Sequence, residues 1–127
     1  MFRMKLDAVS PLATAHSNVW VGMLLLSNLL FNVVANGSFK ISAERHNLRG
    51  FVTWQVIGNL AGFITVITLT GLLRFIPLHV AFPVTTGLAV IGVQLIAGKL
   101  FFGEEISIER WLGTILVVIG IALISRR

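Results

Sequence analysis

Three asparagines, Asn28, Asn32 and Asn36, recur at every fourth position of an otherwise apolar stretch. Residues four apart lie along one face of an α-helix, so these side chains form a polar stripe. An amide costs free energy in lipid, so this face must look at protein or water. A side-chain amide donates and accepts hydrogen bonds but does not titrate. The stripe therefore suits contact with a polar solute.

The same kind of side chain recurs in later apolar stretches, where Gln55 and Asn59 lie four apart and Thr85 and Thr86 are adjacent. We predict that a substrate cavity is lined by Asn28, Asn32, Asn36, Gln55, Asn59, Thr85 and Thr86. The residues leave an alternative open, in which the amides only form hydrogen bonds between helices, each worth about 1 kcal/mol or less.

Four apolar runs must position these side chains. The run from Val19 to Phe39 covers about 30 Å at about 1.5 Å per residue, which is the thickness of a hydrocarbon core. We predict membrane spans over about 18–39, 51–73, 77–102 and 107–125. We expect residues 1–17 to form a polar lead-in and residues 18–127 to form a four-helix transmembrane domain. The expected fold is an all-α membrane protein, an antiparallel up-down bundle that forms a dimer.

Composition excludes several classes of protein. Of 127 residues, 56% are hydrophobic and 12% are charged, which is outside the range of an ordinary soluble domain. There is no cysteine, so disulfides and thiolate metal sites are excluded. The sequence shows no carboxylate pair or histidine cluster, so we expect no enzyme activity, no metal and no cofactor. The basic residues lie at the ends of apolar runs, which indicates lipid headgroups and not nucleic acid as partner.

Basic residues at the span ends allow two interpretations. Lys40, Arg74 and Lys99 could bind the phosphate of a lipid headgroup, or simply extend to ordinary lipid phosphates. All ten basic residues divide evenly between the two sides of the membrane. The positive-inside rule then gives no bias, so we predict insertion in both orientations, or an orientation set by a partner. One side holds Arg3, Lys5, Arg74, Arg126 and Arg127, and the other holds Lys40, Arg45, Arg49, Lys99 and Arg110.

Proline and glycine mark two further features of the later spans. Pro83 cannot donate to the carbonyl of His79, so we predict a helix bend at Pro83 and Gly87. Gly113 and Gly120 lie seven apart and so share a helix face. We predict a dimer contact there, with tight packing inside the subunit as the alternative.

Several motifs carry a family resemblance: Phe75–Gly87, Phe101–Ile106, and the pair Gly113 and Gly120. With them the chain resembles the drug/metabolite transporter superfamily, and in particular its four-helix, EamA-like or small multidrug resistance-like members. The resemblance implies a multi-pass transporter of the bacterial plasma (inner) membrane. It also implies a homodimer, antiparallel in one arrangement, or a heterodimer with a similar four-helix protein.

Two groups of that superfamily compete. In small multidrug resistance proteins a glutamate of the first span binds protons and cationic drugs in turn, and it falls on Asn32 here. Their aromatic pair of the third span falls on Phe82 and Thr85, while their glycine pair at the dimer contact matches Gly113 and Gly120. The flippase subunits for aminoarabinose linked to undecaprenyl phosphate also lack the glutamate, and they have a proline matching Pro83. By this resemblance they are the closer relatives in site chemistry.

The resemblance thus implies a flippase for an amphipathic solute, with a polyprenyl-phosphate-linked sugar as the leading candidate and membrane lipid as partner. Two alternatives stay open. The first is a multidrug or cation exporter of the small multidrug resistance type. The second is a non-transporting scaffold subunit of a membrane glycosyltransferase or of a larger carrier.

Overall fold

The computed structural model describes residues 11–126, with side chains described for residues 17–124 and 126. Four α-helices run through this range: α1, Pro11–Glu44; α2, Leu48–Leu72; α3, Leu78–Gly92; and α4, Ile108–Ser125. Helix α3 continues directly into a π-helical segment, Val93–Phe101. No strand occurs among the described residues.

Three of the helices have the length and hydropathy needed to cross a membrane. They are the described part of α1, Ser17–Glu44, then α2, and then α3 together with the π-helical segment. Helix α4 is shorter, with 18 residues and a length of about 27 Å. The prediction of an all-α membrane protein is confirmed, whereas the dimer stays a prediction.

Helix α1 extends beyond the predicted span at both ends. Its described part runs from Pro11 to Glu44. Residues 40–44 include neither glycine nor proline, so nothing breaks the helix after Phe39. The Nζ atom of Lys40 also lies 3.9 Å from the Oε1 atom of Glu44, one helical turn later. The chain leaves helical geometry only at residues 45–47. Residues 1–10 of the predicted lead-in, with Arg3 and Lys5, lie outside the described residues, as does Arg127.

Helices α1 and α2 form the closest pair in the bundle, because small side chains meet between them. A side chain on Gly58 would collide with the ring of Phe39 and would lie 3.2 Å from the carbonyl oxygen of Ala35. The Ser42 hydroxyl also donates to the carbonyl of Phe51 across the pair, at 2.7 Å. Among the residues of the two helices whose side chains are described, the buried ones are Asn28, Ala35, Ser38, Ser42, Gly58, Ala61, Thr68 and Leu72.

Helix α3 lies between α1 and α4, and two of its glycines make the approach possible. A side chain on Gly92 would collide with Leu29 of α1, and one on Gly87 would collide with Ile121 of α4. Pro83 lies inside α3. Gly87 therefore has a packing role that the sequence did not indicate, and the bend at Pro83 and Gly87 stays a prediction.

A tight turn joins the π-helical segment to α4. Gly103 has a φ of +63°, which favours glycine, and the backbone N–H of Glu104 donates to the carbonyl of Gly98 at 2.9 Å. The hydroxyl of Ser107 then caps α4 by accepting from the N–H of Arg110 at 3.3 Å. The up-down order of the helices brings the end of α1, the start of α2, this turn and the start of α4 together. We call this the Lys40 end of the bundle.

Candidate functional site

A cavity of about 440 Å³, which we call the polar cavity, opens at the Lys40 end. Its wall combines residues of α1, α3, the π-helical segment, the following turn and α4. A nine-residue π-helical segment is unusual, and π-helical turns occur frequently at functional sites. The wall residues are Asn36, Lys40, Thr86, Ala89, Val90, Val93, Gln94, Ala97, Gly98, Phe102, Glu104, Glu105, Ile106 and Arg110.

The first amide of the stripe, Asn28, lies between α1 and α2 and not in the polar cavity. Its side chain is 3% exposed. Its Nδ2 atom donates to the carbonyl oxygen of Thr65 at 2.9 Å and to the hydroxyl of Thr68 at 3.0 Å. At this position the amide forms hydrogen bonds between two helices, as in the alternative interpretation of the sequence, in which the amides only connect helices.

The next two amides lead from this contact to the polar cavity. Asn32 is half-buried, and its Nδ2 atom donates to the Oδ1 atom of Asn28 at 3.0 Å. Asn36 is exposed, donates to the carbonyl of Asn32 at 2.8 Å and lines the polar cavity. The stripe is therefore one connected row of hydrogen bonds with a buried end and an open end.

The other predicted cavity residues divide in a similar way. Thr86 lines the polar cavity, whereas its neighbour Thr85 is buried and donates to the carbonyl of Ala81 at 2.9 Å. On α2, Asn59 is exposed and donates to the carbonyl of Gln55 at 2.7 Å. Neither of these α2 residues lines the polar cavity. The structure thus brings Asn36 and Thr86 together there, and a substrate contact at the other predicted positions stays a prediction.

Gln94 also lines the polar cavity, and it was not among the predicted site residues. Its Oε1 atom accepts from the hydroxyl of Thr114 at 3.3 Å, while its buried Nε2 atom has no hydrogen-bond partner among the described residues. A buried donor without a partner costs about 1–3 kcal/mol, and a ligand oxygen that reached this amide would recover that cost. The available signal was that Gln94 is the single amide of the third span.

Charges of both signs surround the mouth of the polar cavity. Lys40 forms an ion pair with Glu104 and lies 5.1 Å above the ring of Phe102. Glu105 and Arg110 also belong to the wall. The Lys40–Glu104 pair connects the end of α1 to the turn before α4, so it closes the polar cavity on one side.

The three residues predicted to bind a headgroup do not share one site. Lys40 lies at the polar cavity, and Lys99 lies at the same end, 5.7 Å above the ring of Trp111. Arg74 is exposed in the connection between α2 and α3, at the opposite end of the bundle. Headgroup binding stays a prediction, with Lys40 as the member closest to the other polar groups.

Gly113 and Gly120 lie on an open face of α4. No described atom comes within 4 Å of the position that a side chain would take at either residue. Tight packing inside the subunit therefore does not explain these glycines. The predicted dimer contact needs such an open face, and it stays a prediction.

The chain was compared with protein families, curated proteins and solved structures. A family model described as Small Multidrug Resistance protein matches residues 18–122. No curated protein matches the chain, and no solved structure matches it. The matched range begins in α1 and ends in α4, so it includes every wall residue of the polar cavity.

Proposed function

The chain belongs to the Small Multidrug Resistance protein family, a family of small membrane transporters, and from this premise we propose that it moves an amphipathic solute across the membrane. The prediction of a small multidrug resistance-like protein is confirmed. The finer prediction, likeness to the flippase subunits, leads us to propose a polyprenyl-phosphate-linked sugar as the solute. No covalent step is needed for such transport.

The observation that supports this proposal is a row of amides that reaches the polar cavity, while the uncharged interiors of the spans hold no acid. All five acidic residues lie outside the uncharged interiors of the apolar runs; they are Asp7, Glu44, Glu104, Glu105 and Glu109. Asn32 stands where the resemblance places the proton-binding glutamate, and it cannot titrate. Neutral amides suit the oxygens of a sugar or a phosphate better than a proton-coupled cation.

The wall of the polar cavity offers the donors that such a head requires. The unpartnered Nε2 atom of Gln94 and the side chains of Asn36 and Thr86 come from two different helices. A head bound between two helices can change sides when those helices rock against each other, as in other transporters with midplane sites. Hydrogen bonds from the wall would replace those that the head loses with water.

The test is transport in proteoliposomes of a polyprenyl phosphate that carries a fluorescent sugar. We expect Asn36→Ala to lower the initial rate by about five- to tenfold, because one hydrogen bond to the head is lost. The control is Thr70→Ala, which removes an exposed side chain of α2 that also bonds its own helix, through the carbonyl of Val66 at 2.9 Å. This control should stay within about twofold of the wild type.

Wild-type protein that moves neither this lipid nor a cation would contradict the proposal and would support the scaffold alternative. Equal rates for Asn36→Ala and Thr70→Ala would show that the polar cavity is not on the path of the head. The fluorescent sugar must be read from both leaflets, because the protein can be reconstituted in both orientations.

The second candidate is export of organic cations. The description of the matched family favours it, and so do the carboxylates of Glu104 and Glu105 in the cavity wall. Glu104 is engaged with Lys40, so Glu105 is the acid available to a cation. Uptake of ethidium driven by a pH gradient, lost in Glu105→Gln and retained in Asn36→Ala, would establish this candidate in place of the first.

A further inference from the structure

A second cavity, which we call the apolar cavity, lies on the other side of the contact between α1 and the π-helical segment. It measures about 260 Å³. Its single hydroxyl, on Ser38, donates to the carbonyl of Val34 at 2.7 Å, and the surface that faces the cavity is apolar. The wall is built chiefly of Val33, Val34, Ile41, Trp54, Ile96 and Phe101.

Gly37 explains how the apolar cavity stays open. It lies inside α1, two turns before the end of the helix, in the cavity wall, and no described atom outside the adjoining backbone of α1 comes within 4 Å of the position that its Cβ atom would take. Glycine inside a helix destabilises it by about 0.5–1 kcal/mol relative to alanine. Gly58, Gly87 and Gly92 are needed for close packing, but Gly37 is not. Its lack of a side chain leaves room in the apolar cavity.

The two cavities share part of their walls. Ala97 and Phe102 line both of them, and α1 contributes Asn36 and Lys40 to one and Gly37 and Ile41 to the other. A polar compartment and an apolar compartment therefore lie on the two sides of one contact between helices. A molecule with a polar head and an apolar tail matches this arrangement.

We propose that the apolar cavity binds one alkyl or prenyl tail of the solute whose head lies in the polar cavity. This inference rests on the proposed function. A tail gains little hydrophobic free energy on leaving lipid, which is equally apolar, so its contribution is packing against fixed side chains. Because head and tail are linked, binding of one raises the effective concentration of the other. The proposed solute is thus an amphiphile that places one alkyl or prenyl chain in the apolar cavity.

The first test uses tryptophan fluorescence, because Trp54 lies in the wall of the apolar cavity. The probe is bromododecyl phosphate with the bromine on the terminal carbon, added to the protein in nanodiscs of unbrominated phosphatidylcholine. Trp54 is the single tryptophan left by Trp20→Phe with Trp111→Phe. We expect saturable quenching at one probe per chain. A variant that keeps only Trp20, which is 52% exposed, should show quenching that rises in proportion to the probe.

Filling the apolar cavity should remove the saturable component. We expect Gly37→Leu to raise the probe concentration for half-maximal quenching by about tenfold or more, since the new side chain occupies the space of the tail. The matched control is Gly22→Leu, another glycine of α1 with no atom within 4 Å, which lines neither cavity. Proportional quenching of Trp54 in the wild type would mean that ordinary bilayer lipid is the only occupant, and it would overturn the inference.

Transport of the fluorescent sugar lipid separates failure of this inference from failure of the proposed function. Loss of transport in both Gly37→Leu and Asn36→Ala supports the two together. Transport that survives in Gly37→Leu but is lost in Asn36→Ala overturns the tail site and leaves the proposed function intact. A wild-type protein that does not move the lipid overturns the proposed function, and the inference with it.

Discussion

The three asparagines of α1 show how one residue type takes different roles along one helix face. Asn28 is held between α1 and α2, Asn32 bonds to Asn28, and Asn36 opens on the polar cavity. The spacing predicted that they share a face, but a helix face says nothing about which neighbour covers each turn. Burial depends on α2 and α3, which approach α1 at different heights, so the division between packing and cavity could not be predicted from the sequence.

This division predicts a difference in stability between two variants of the same chemistry. Asn28→Ala removes two hydrogen bonds between helices and should lower the free energy of unfolding by about 1 kcal/mol. Asn36→Ala removes an exposed hydrogen bond within one helix and should change the free energy of unfolding by less than about 0.5 kcal/mol. Equilibrium unfolding in mixed micelles measures both values. Equal losses would contradict the assignment of Asn28 to helix packing.

At the scale of the helices, glycine has at least two distinct roles here. Gly58, Gly87 and Gly92 let neighbouring helices approach, while Gly113 and Gly120 face open space. The sequence showed that the last two share a face, and the structure supports that pattern. The sequence could not show that Gly87 packs against Ile121, because this contact depends on the offset between α3 and α4.

We therefore predict opposite outcomes for leucine at two glycines of the same helix pair. Gly87→Leu forces α3 away from Ile121 and should destabilise the subunit by about 1–3 kcal/mol through overpacking. A Cβ atom at position 120 would meet no described atom of another helix within 4 Å, so we expect the subunit to keep its thermal stability in Gly120→Leu. If α4 forms the dimer contact, Gly120→Leu should instead shift the oligomer toward monomer.

Thermal unfolding in detergent and sedimentation of the detergent-solubilised protein measure the two effects separately. A stable Gly87→Leu variant would mean that α3 and α4 are not in close contact at that position. A Gly120→Leu variant that remains dimeric would place the dimer contact on another face.

The helices themselves were largely predictable, and their connections were not. Uncharged runs of membrane length predicted the spans, because the bilayer thickness fixes the number of apolar residues. The π-helical segment was not predicted, and the Lys40–Glu104 pair joins residues 64 positions apart, which no local pattern encodes. The sequence predicted three of the polar wall residues as site residues, Asn36, Thr86 and Lys40, but it did not predict the shape of the polar cavity.

For the whole molecule, the distribution of basic residues between its two ends is the feature that bears on its orientation in the membrane. The structure places Lys40, Arg45, Arg49, Lys99 and Arg110 at the Lys40 end. Arg74 and Arg126 lie at the other end, while Arg3, Lys5 and Arg127 lie outside the described residues. The predicted balance of five against five thus agrees with the up-down order of the helices wherever the chain is described. A balanced chain has no preferred orientation, and opposite insertion would supply the partners for an antiparallel dimer.

The final prediction is that small changes in this balance set the orientation. A reporter on the carboxyl end should be found on both sides of the membrane for the wild type. The double variant Arg74→Ala with Arg126→Ala leaves three basic residues at the end opposite Lys40 and five at the Lys40 end. The Lys40 end should then face the cytoplasm, and the reporter should lie on the opposite side of the membrane. Arg45→Ala with Arg49→Ala leaves five against three and should reverse the result, which makes each pair the control for the other. A wild-type reporter found on one side alone, unmoved by either pair, would show that a partner or another signal sets the orientation.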